Sequence, residues 1–313
     1  MIFNNLSNNG EENYLALLKY VLEKGQAKAN RTGDIALTVP TVQLYHNFTE
    51  GFPLFTTKQM AKKAMLVELE GFIGGITDKK WYQERGCRIW DEWCNPTLVP
   101  PELYNDERKT FQKTENDLGP VYGYQWRRFN GGYNRPTPIN KKLKAMWDSP
   151  EHALTWGDQF DYVIQTLKTN PDDRRMKVSA WNVLAKPTQA LPPCHTDFTI
   201  VHINGTLHMN WSQRSCDLLL GIPFNLASYA MLLELLCKET GMQPGTISGC
   251  LADVHIYTHH IDACLEQLER IPKNLPTINF NKWDGIYNWE HKDVDFVGYE
   301  PHGKLTKDTR VSI

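Results

Sequence analysis

No run of apolar residues in this chain is long enough to cross a bilayer, where a spanning helix needs about 20. The start, Met1-Ile2-Phe3-Asn4-Asn5, has neither the basic patch nor the apolar stretch of a secretory leader. The seven cysteines are odd in number and lack paired spacing, in a chain of 313 residues that has no need of disulfide staples. These absences predict a reduced, cytoplasmic protein with free thiols. A basic excess is missing too: 34 Lys and Arg stand against 36 Asp and Glu, a formal net charge of −2. Nucleic-acid coats and membrane-surface binders usually carry basic blocks, so a small ligand is expected, with positive charge gathered in a pocket. Internal repeats and low-complexity segments are absent as well.

Hydrophobic residues at 41% and charged residues at 22% are ordinary for a globular chain. This length can bury a sizeable core as one large domain, or as one domain with a small accessory lobe. Tyr14, Leu15, Leu17, Leu18, Val21 and Leu22 fall at helical spacing and predict a helix over 11–24, stopped by Gly25. Ile35, Leu37 and Val39 alternate, and Val42 and Leu44 resume after Pro40, which predicts a broken or edge strand. A second helix is expected over 61–73, carrying Glu68.

The stretches near 95–116 and 130–156 are rich in Pro, Asn, Lys and Glu with poor periodicity and read as insertions. Strands are expected over 176–181, 198–203 and 206–211, the last two joined by the hairpin signal Asn204-Gly205. A helix over 226–240 should end at Gly241, followed by a strand near 254–257 and a helix over 261–268. The fold class expected is α+β: a single large mixed sheet covered by helices.

Chemistry is concentrated around Leu191-Pro192-Pro193-Cys194-His195, Gln213-Arg214-Ser215-Cys216-Asp217 and Gly221-Ile222-Pro223-Phe224-Asn225. A thiolate adding to C6 of a pyrimidine makes C5 nucleophilic enough to attack an electrophilic one-carbon unit, and Cys194 is the candidate. Nearby arginines would favour its thiolate form, whereas a lone cysteine is more often an inert core residue. Arg31, Arg174, Arg175 and Arg214 suit a phosphate, because guanidinium forks match its oxygens; singly, each reads as surface charge.

Asn225 can donate to a uracil O4 and accept from N3–H, or serve merely as a helix N-cap. His255, His259 and His260 invite a zinc site, but no acidic or cysteine ligand stands at a supporting spacing, so water or ribose contacts fit His255 and Tyr257 better. A Cys194–His195 hydrolase is disfavoured because adjacent residues on a strand point to opposite faces.

The chain resembles the thymidylate synthase family, including its pyrimidine hydroxymethylase branch. The likeness is carried by Asn30-Arg31-Thr32-Gly33, Gly51-Phe52-Pro53, Ile89-Trp90-Asp91-Glu92-Trp93, Gly119-Pro120-Val121-Tyr122-Gly123, Asp173-Arg174-Arg175, the three clusters above and Gly298-Tyr299. The resemblance implies one catalytic domain over 1–313 that moves a one-carbon unit from 5,10-methylenetetrahydrofolate to C5 of dUMP, without a metal. It implies Cys194 as nucleophile, with Arg31, Gln213, Arg214 and Ser215 on the substrate and Arg174 and Arg175 reaching in from the partner of a homodimer. Asn225 would read the uracil, and His255 and Tyr257 the ribose. Glu68, Tyr122 and His195 would move protons, and Asp217 would hold the pterin. Ile89, Trp90, Trp93, Leu220, Gly221 and Phe224 would line the folate slot, with Ile313 on a closing tail.

Three positions depart from the family pattern. Glu70 and Gly71 stand where Leu and Trp are usual, and Ala252 replaces a glycine before Asp253. Loss of the tryptophan keeps a hydroxymethylase, which would release 5-hydroxymethyl-dUMP (or the dCMP equivalent), as the alternative. A regulator that binds nucleotide or RNA without turnover is a further one, opposed by the intact Cys194, Glu68 and Asn225 and by the charge.

Overall fold

The structure, a computed structural model, describes residues 7–30, 33–93, 116–129 and 157–311. The stretches expected to be insertions fall almost wholly outside the described residues. Along the chain run α1 (Gly10–Lys24), β1 (Gln26–Ala29), β2 (Ile35–Asn47), α2 (Lys62–Ile73), α3 (Lys79–Glu84), α4 (Tyr122–Arg128) and α5 (Gln159–Thr169). Then follow β3 (Lys177–Ser179), β4 (His195–Ile203), β5 (Thr206–Gln213), β6 (Cys216–Asp217), α6 (Gly221–Thr240), β7 (Gln243–Tyr257), α7 (Ile261–Leu268), β8 (Thr277–Phe280) and β9 (Val294–Val297). Two compact units result: Met1–Lys62, His202–Trp283 and Lys292–Ile313 form one, Lys63–Val201 and Asp284–His291 the other. The expected α+β class, with a large mixed sheet flanked by helices, is what the chain forms.

In the first unit β7 is the central strand, antiparallel to β2 and parallel to β5 and β6, with β1 on the far side of β2. The sheet is therefore mixed. Along β5 buried and half-buried positions alternate, and Leu207, Met209, Trp211 and Gln213 point inward. The hairpin before β5 turns on Asn204 and Gly205, both with positive φ (48° and 79°), the pair the sequence marks for a tight turn.

α6 is apolar nearly all round, with Leu226, Ala227, Ala230, Met231, Leu232, Leu233, Leu235 and Leu236 fully buried. A helix of that kind belongs in a core. It begins at Gly221, five residues earlier than expected, because Pro223 is tolerated in a first turn where its N–H would have no partner. It ends as expected, with Gly241 in the left-handed region.

Of the two readings of Pro40, a broken or an edge strand, β2 takes the second: beyond Thr38 its β1 side is an edge. The strand runs unbroken, and Pro40 falls between the pairs Val39–Val254 and Thr41–Ala252, opposite Asp253 at φ 49°. β1 has already ended opposite Thr38, so no neighbour asks Pro40 for an N–H. β7 is also far longer than the expected 254–257, because its first half is read from Gln243 onward by pairing to β2 and β5.

The second unit holds β3 paired antiparallel with β4 and packed against α4 and α5. Met65, Leu66, Val67, Leu69, Phe72 and Ile73 of α2 are buried, and so is Glu68, a carboxylate on an otherwise apolar surface. α3, α4 and α5 went unread in the sequence because they are short or lie beside the Pro- and Asn-rich stretches. A buried ion pair ties α4 to the turn before α5: Arg127 Nε lies 2.8 Å from Asp158, and Arg127 also donates to the Ile73 carbonyl at 3.0 Å. The Arg127 guanidinium sits 4.5 Å from the Tyr287 ring centre, so this cation is satisfied on all sides.

Candidate functional site

Among the described residues the cysteines are free thiols, and they divide sharply by environment. Cys87, Cys216, Cys237 and Cys264 are buried, Cys250 is exposed and Cys194 is intermediate. Burial pushes the Cys87 and Cys264 thiols up to about 12 and raises that of Cys237 further, so these three stay protonated and inert. Cys194 stands immediately before β4 rather than within it, with His195 as the first strand residue.

Around Cys194 the second unit assembles a stack of rings. Tyr122, at the N-terminus of α4, lies 4.9 Å from Phe72 and 4.2 Å from His195, both nearly parallel to it (17° and 29°). Trp90 meets Tyr122 edge-on at 5.9 Å. The Tyr122 hydroxyl accepts the backbone N–H of Cys194 at 2.8 Å, which fixes the chain that carries the thiol. Tyr122 holds a φ of 25°, a conformation bulky residues avoid at a cost of roughly 1–3 kcal/mol. The stacked rings hold it there. Gly123 makes the approach possible, since a Cβ at that position would lie 2.6 Å from the carbonyl carbon of Phe72.

Burial also sets the protonation of this region. The Glu68 carboxyl, 6% exposed, is pushed from 4.5 up to about 8 by loss of water. Trp90 opposes that shift, although its indole N–H makes no hydrogen bond of ordinary geometry. At neutral pH Glu68 therefore carries a proton it can give or share. His195, 7% exposed, is driven from 6.5 down to about 3 by the same desolvation and stays neutral. Of the expected folate-lining residues in this unit, Trp90 is buried, Trp93 half-buried and Ile89 exposed.

In the first unit the recognition residues are joined by hydrogen bonds rather than rings. Trp211 Nε1 donates to Gln213 Oε1 at 3.3 Å, and Gln213 Nε2 donates to the Ser215 carbonyl and to Asn225 Oδ1, each at 3.0 Å. The relay orients the Asn225 amide: its oxygen faces Gln213 and its NH2 is left to donate elsewhere. Asn225 is not an N-cap, because α6 begins at Gly221 and Leu220 takes the cap position. A Cβ built on Gly221 would lie 3.6 Å from both Asn225 Oδ1 and Asp217 Cβ, which places these two side chains on one patch.

Asp217 accepts from the N–H groups of Leu219 and Leu220 at 3.0 and 3.2 Å, shaping the turn into α6. Leu220 and Phe224 are half-buried at its end, and Arg214 is exposed. Lys58, which sequence reasoning missed, donates to the Leu219 carbonyl from a buried position. Burial lowers its ammonium to about 8, with Asp217 pulling the other way. A buried lysine leaves no mark on periodicity, so only the fold could reveal it.

His255 is paired with Asp217 across β6 and β7, and its Nδ1 donates to the Asp253 carbonyl at 2.7 Å. That bond fixes the tautomer and turns Nε2 into an acceptor. Tyr257 packs edge-on against His255 at 5.0 Å. The Nε2 atoms of His259 and His260 instead donate to the Arg310 carbonyl at 3.3 and 2.9 Å. Among the described residues no group of three or more His, Cys, Asp or Glu gathers as a metal cage, and no helix is long and apolar enough to cross a membrane.

The remaining expected residues are placed differently. Arg174 and Arg175 are exposed on the turn before β3, and the Arg175 fork closes on Asp173 at 2.9 and 2.6 Å. Arg31 and Ile313 lie outside the described residues. The departures from the family pattern are taken up by local structure. Glu70 accepts from the His291 backbone N–H at 2.9 Å and faces its Nδ1 at 2.8 Å, with Arg85 at 3.8 Å. Ala252 is an exposed strand residue paired with Thr41, and the unusual backbone sits at Asp253 instead.

A family model described as thymidylate synthase matches residues 12–311. A curated thymidylate synthase of Corynebacterium aurimucosum is 38% identical over 301 residues, covering 96% of this chain and 98% of that protein. Both similarities favour methylation of dUMP over hydroxymethylation, with methylenetetrahydrofolate as cosubstrate. The chain therefore belongs to the thymidylate synthase family, and it is an enzyme of that type.

Proposed function

We propose that Cys194 carries the reaction as the nucleophile on C6 of dUMP, and that the residues described above divide the remaining work. The observation that carries this reading is the hold on the thiol: Tyr122 fixes the Cys194 backbone, in a setting where Glu68 is protonated and His195 neutral. Addition of the thiolate to C6 leaves C5 as an enolate-like carbon able to form the new carbon–carbon bond. Methylenetetrahydrofolate supplies the one-carbon unit and then the hydride, leaving as dihydrofolate. Glu68 exchanges protons with the pyrimidine O4 through water, a task suited to a carboxyl whose pKa lies near the working pH. The C5 proton leaves as the folate amine is expelled, before the hydride step, so that an exocyclic methylene receives the hydride; expulsion of the Cys194 thiolate then closes the cycle, giving dTMP.

Asn225 donates from its pinned NH2 to the uracil O4 and accepts N3–H on its oxygen's second lone pair. Arg31, Arg214 and Ser215 hold the phosphate, and His255 Nε2 accepts from a ribose hydroxyl beside Tyr257. Asp217 binds the pterin, with Ile89, Trp90, Trp93, Leu220, Gly221 and Phe224 around it and Ile313 on the closing tail. The enzyme works as one catalytic domain over 1–313, in the cytoplasm, as a homodimer in which Arg174 and Arg175 complete the partner's phosphate site. Their exposure supports this last role, since neither is committed to the core of its own chain.

The test is to incubate the protein with dUMP and methylenetetrahydrofolate, weigh the nucleotide product and follow dihydrofolate by absorbance. A methyl product with stoichiometric dihydrofolate is expected. Cys194→Ala should abolish turnover while dUMP still binds by calorimetry, and retained turnover would end the covalent reading. Mixing inactive Cys194→Ala with inactive Arg175→Ala chains should restore activity if arginines cross between protomers; silence from the mixture would refute the shared site.

A further inference from the structure

Gly71 stands where the family places a tryptophan, and the volume is not empty. A Cβ on Gly71 would lie 2.5 Å from Tyr82 Oη and 2.6 Å from its Cζ, with Cε1 closer still. The ring of Tyr82, fully buried on α3, is therefore laid directly on the α2 backbone. Glu68 is one helical turn before Gly71 and so shares that face of α2. The hydroxyl of Tyr82 is anchored beyond the helix, donating to the Ile76 carbonyl at 3.2 Å, and its own carbonyl accepts from Cys87 N at 2.9 Å. Burial holds the Tyr82 phenol well above its usual range, and a charge on Glu68 would raise it further, which agrees with the ring lying against the carboxyl's surroundings.

We infer that Tyr82 is a positioning residue for the reaction: its ring, admitted by Gly71, walls the Glu68 carboxyl from bulk water and takes over the space of the missing tryptophan. Only a residue without a side chain lets the ring approach so closely, and only a large ring fills the gap so made. The pairing explains how a chain lacking that tryptophan keeps bulk water from Glu68. The inference rests on the proposed proton-transfer role of Glu68.

Tyr82→Leu, Tyr82→Phe and Gly71→Ala, each in the full chain, test it alongside Glu68→Gln. With Tyr82→Leu, kcat should fall about tenfold with KM for dUMP held within about threefold, the scale of a disturbed proton-transfer group. Its alkaline limb should move down by about one pH unit as water reaches Glu68, and 5-hydroxymethyl-dUMP should appear by mass. Tyr82→Phe, which keeps the ring, should stay near wild type. Gly71→Ala should disturb the limb by pushing the ring away, and Gly71→Ala with Tyr82→Leu should recover melting temperature relative to Gly71→Ala alone. An unchanged limb and an all-methyl product in folded Tyr82→Leu would overturn the inference; if that variant does not fold, an unchanged limb in Gly71→Ala does so. Retained turnover in Glu68→Gln would instead strike at the role of Glu68 itself.

Discussion

The surroundings of Cys194 and those of Asn225 solve different problems by different physics. Near Cys194, rings and apolar side chains exclude water, and exclusion sets protonation: a carboxyl is held protonated and an imidazole held neutral by desolvation. Near Asn225, a chain of neutral donors and acceptors sets orientation, passing from Trp211 through Gln213 to the amide. Chemistry that moves protons needs tuned pKa values, whereas reading a base edge needs an amide that cannot flip. The contrast teaches where each region is vulnerable: the first to water, the second to a lost hydrogen bond.

Removing the thiol gives the largest effect, as Cys194→Ala should leave no measurable turnover. Glu68→Gln should lower kcat by about 100-fold to 10,000-fold, the range for a lost general acid or base, while leaving the fold intact. Its stability carries a sign. Because the folded pKa of about 8 exceeds the unfolded 4.5, the folded state holds an extra proton between those values. Glu68's contribution is fully present below 4.5 and declines as pH rises through 8. Glu68→Gln should therefore melt at a higher temperature than wild type at pH 9 and show no such advantage at pH 4.5; an equal difference at both would show that Glu68 is not buried as a neutral acid.

Asp158→Asn sharpens the comparison from the scaffold side. Leaving the buried Arg127 cation without its partner should cost about 3–5 kcal/mol in urea unfolding, a loss that no pocket mutation should match. Burial raises Asp158 to about 6 despite Arg127, so here desolvation outweighs the ion pair.

On the recognition side, Gln213→Leu should leave kcat for dUMP within about tenfold but let dCMP compete better, by roughly the worth of one hydrogen bond, about 1 kcal/mol. Unchanged discrimination would mean that something other than Gln213 orients Asn225. Smallest is Tyr122→Phe, which loses the acceptor for Cys194 N–H and should slow turnover by about tenfold or less on the same scale. A loss as large as that of Cys194→Ala would give its hydroxyl a chemical role.

Much of the architecture was legible because it is written locally. The α1 helix follows from apolar spacing, the β4–β5 hairpin from Asn204-Gly205, and the end of α6 from Gly241. What stayed open or failed was non-local: Pro40 left a break and an edge strand undecided until the end of β1 made it an edge, and α6 reads as starting at 226 until packing commits the turn from Gly221. The candidate site divides in the same way. Its residue types stand in short motifs, but Lys58 and Tyr82 are invisible in sequence, since their importance lies in burial against Leu219 and Gly71, each distant along the chain.

By itself, the sequence determined the reagents, because a thiol, an amide and a set of guanidinium groups keep their chemistry wherever they stand, and short-range geometry of turns and helices follows from neighbouring side chains. Only the tertiary structure decided which groups hold protons, which way the Asn225 amide faces and why a glycine can replace a tryptophan. Those properties depend on solvent exclusion and contact between residues far apart in the chain, and neither exists until the chain has folded.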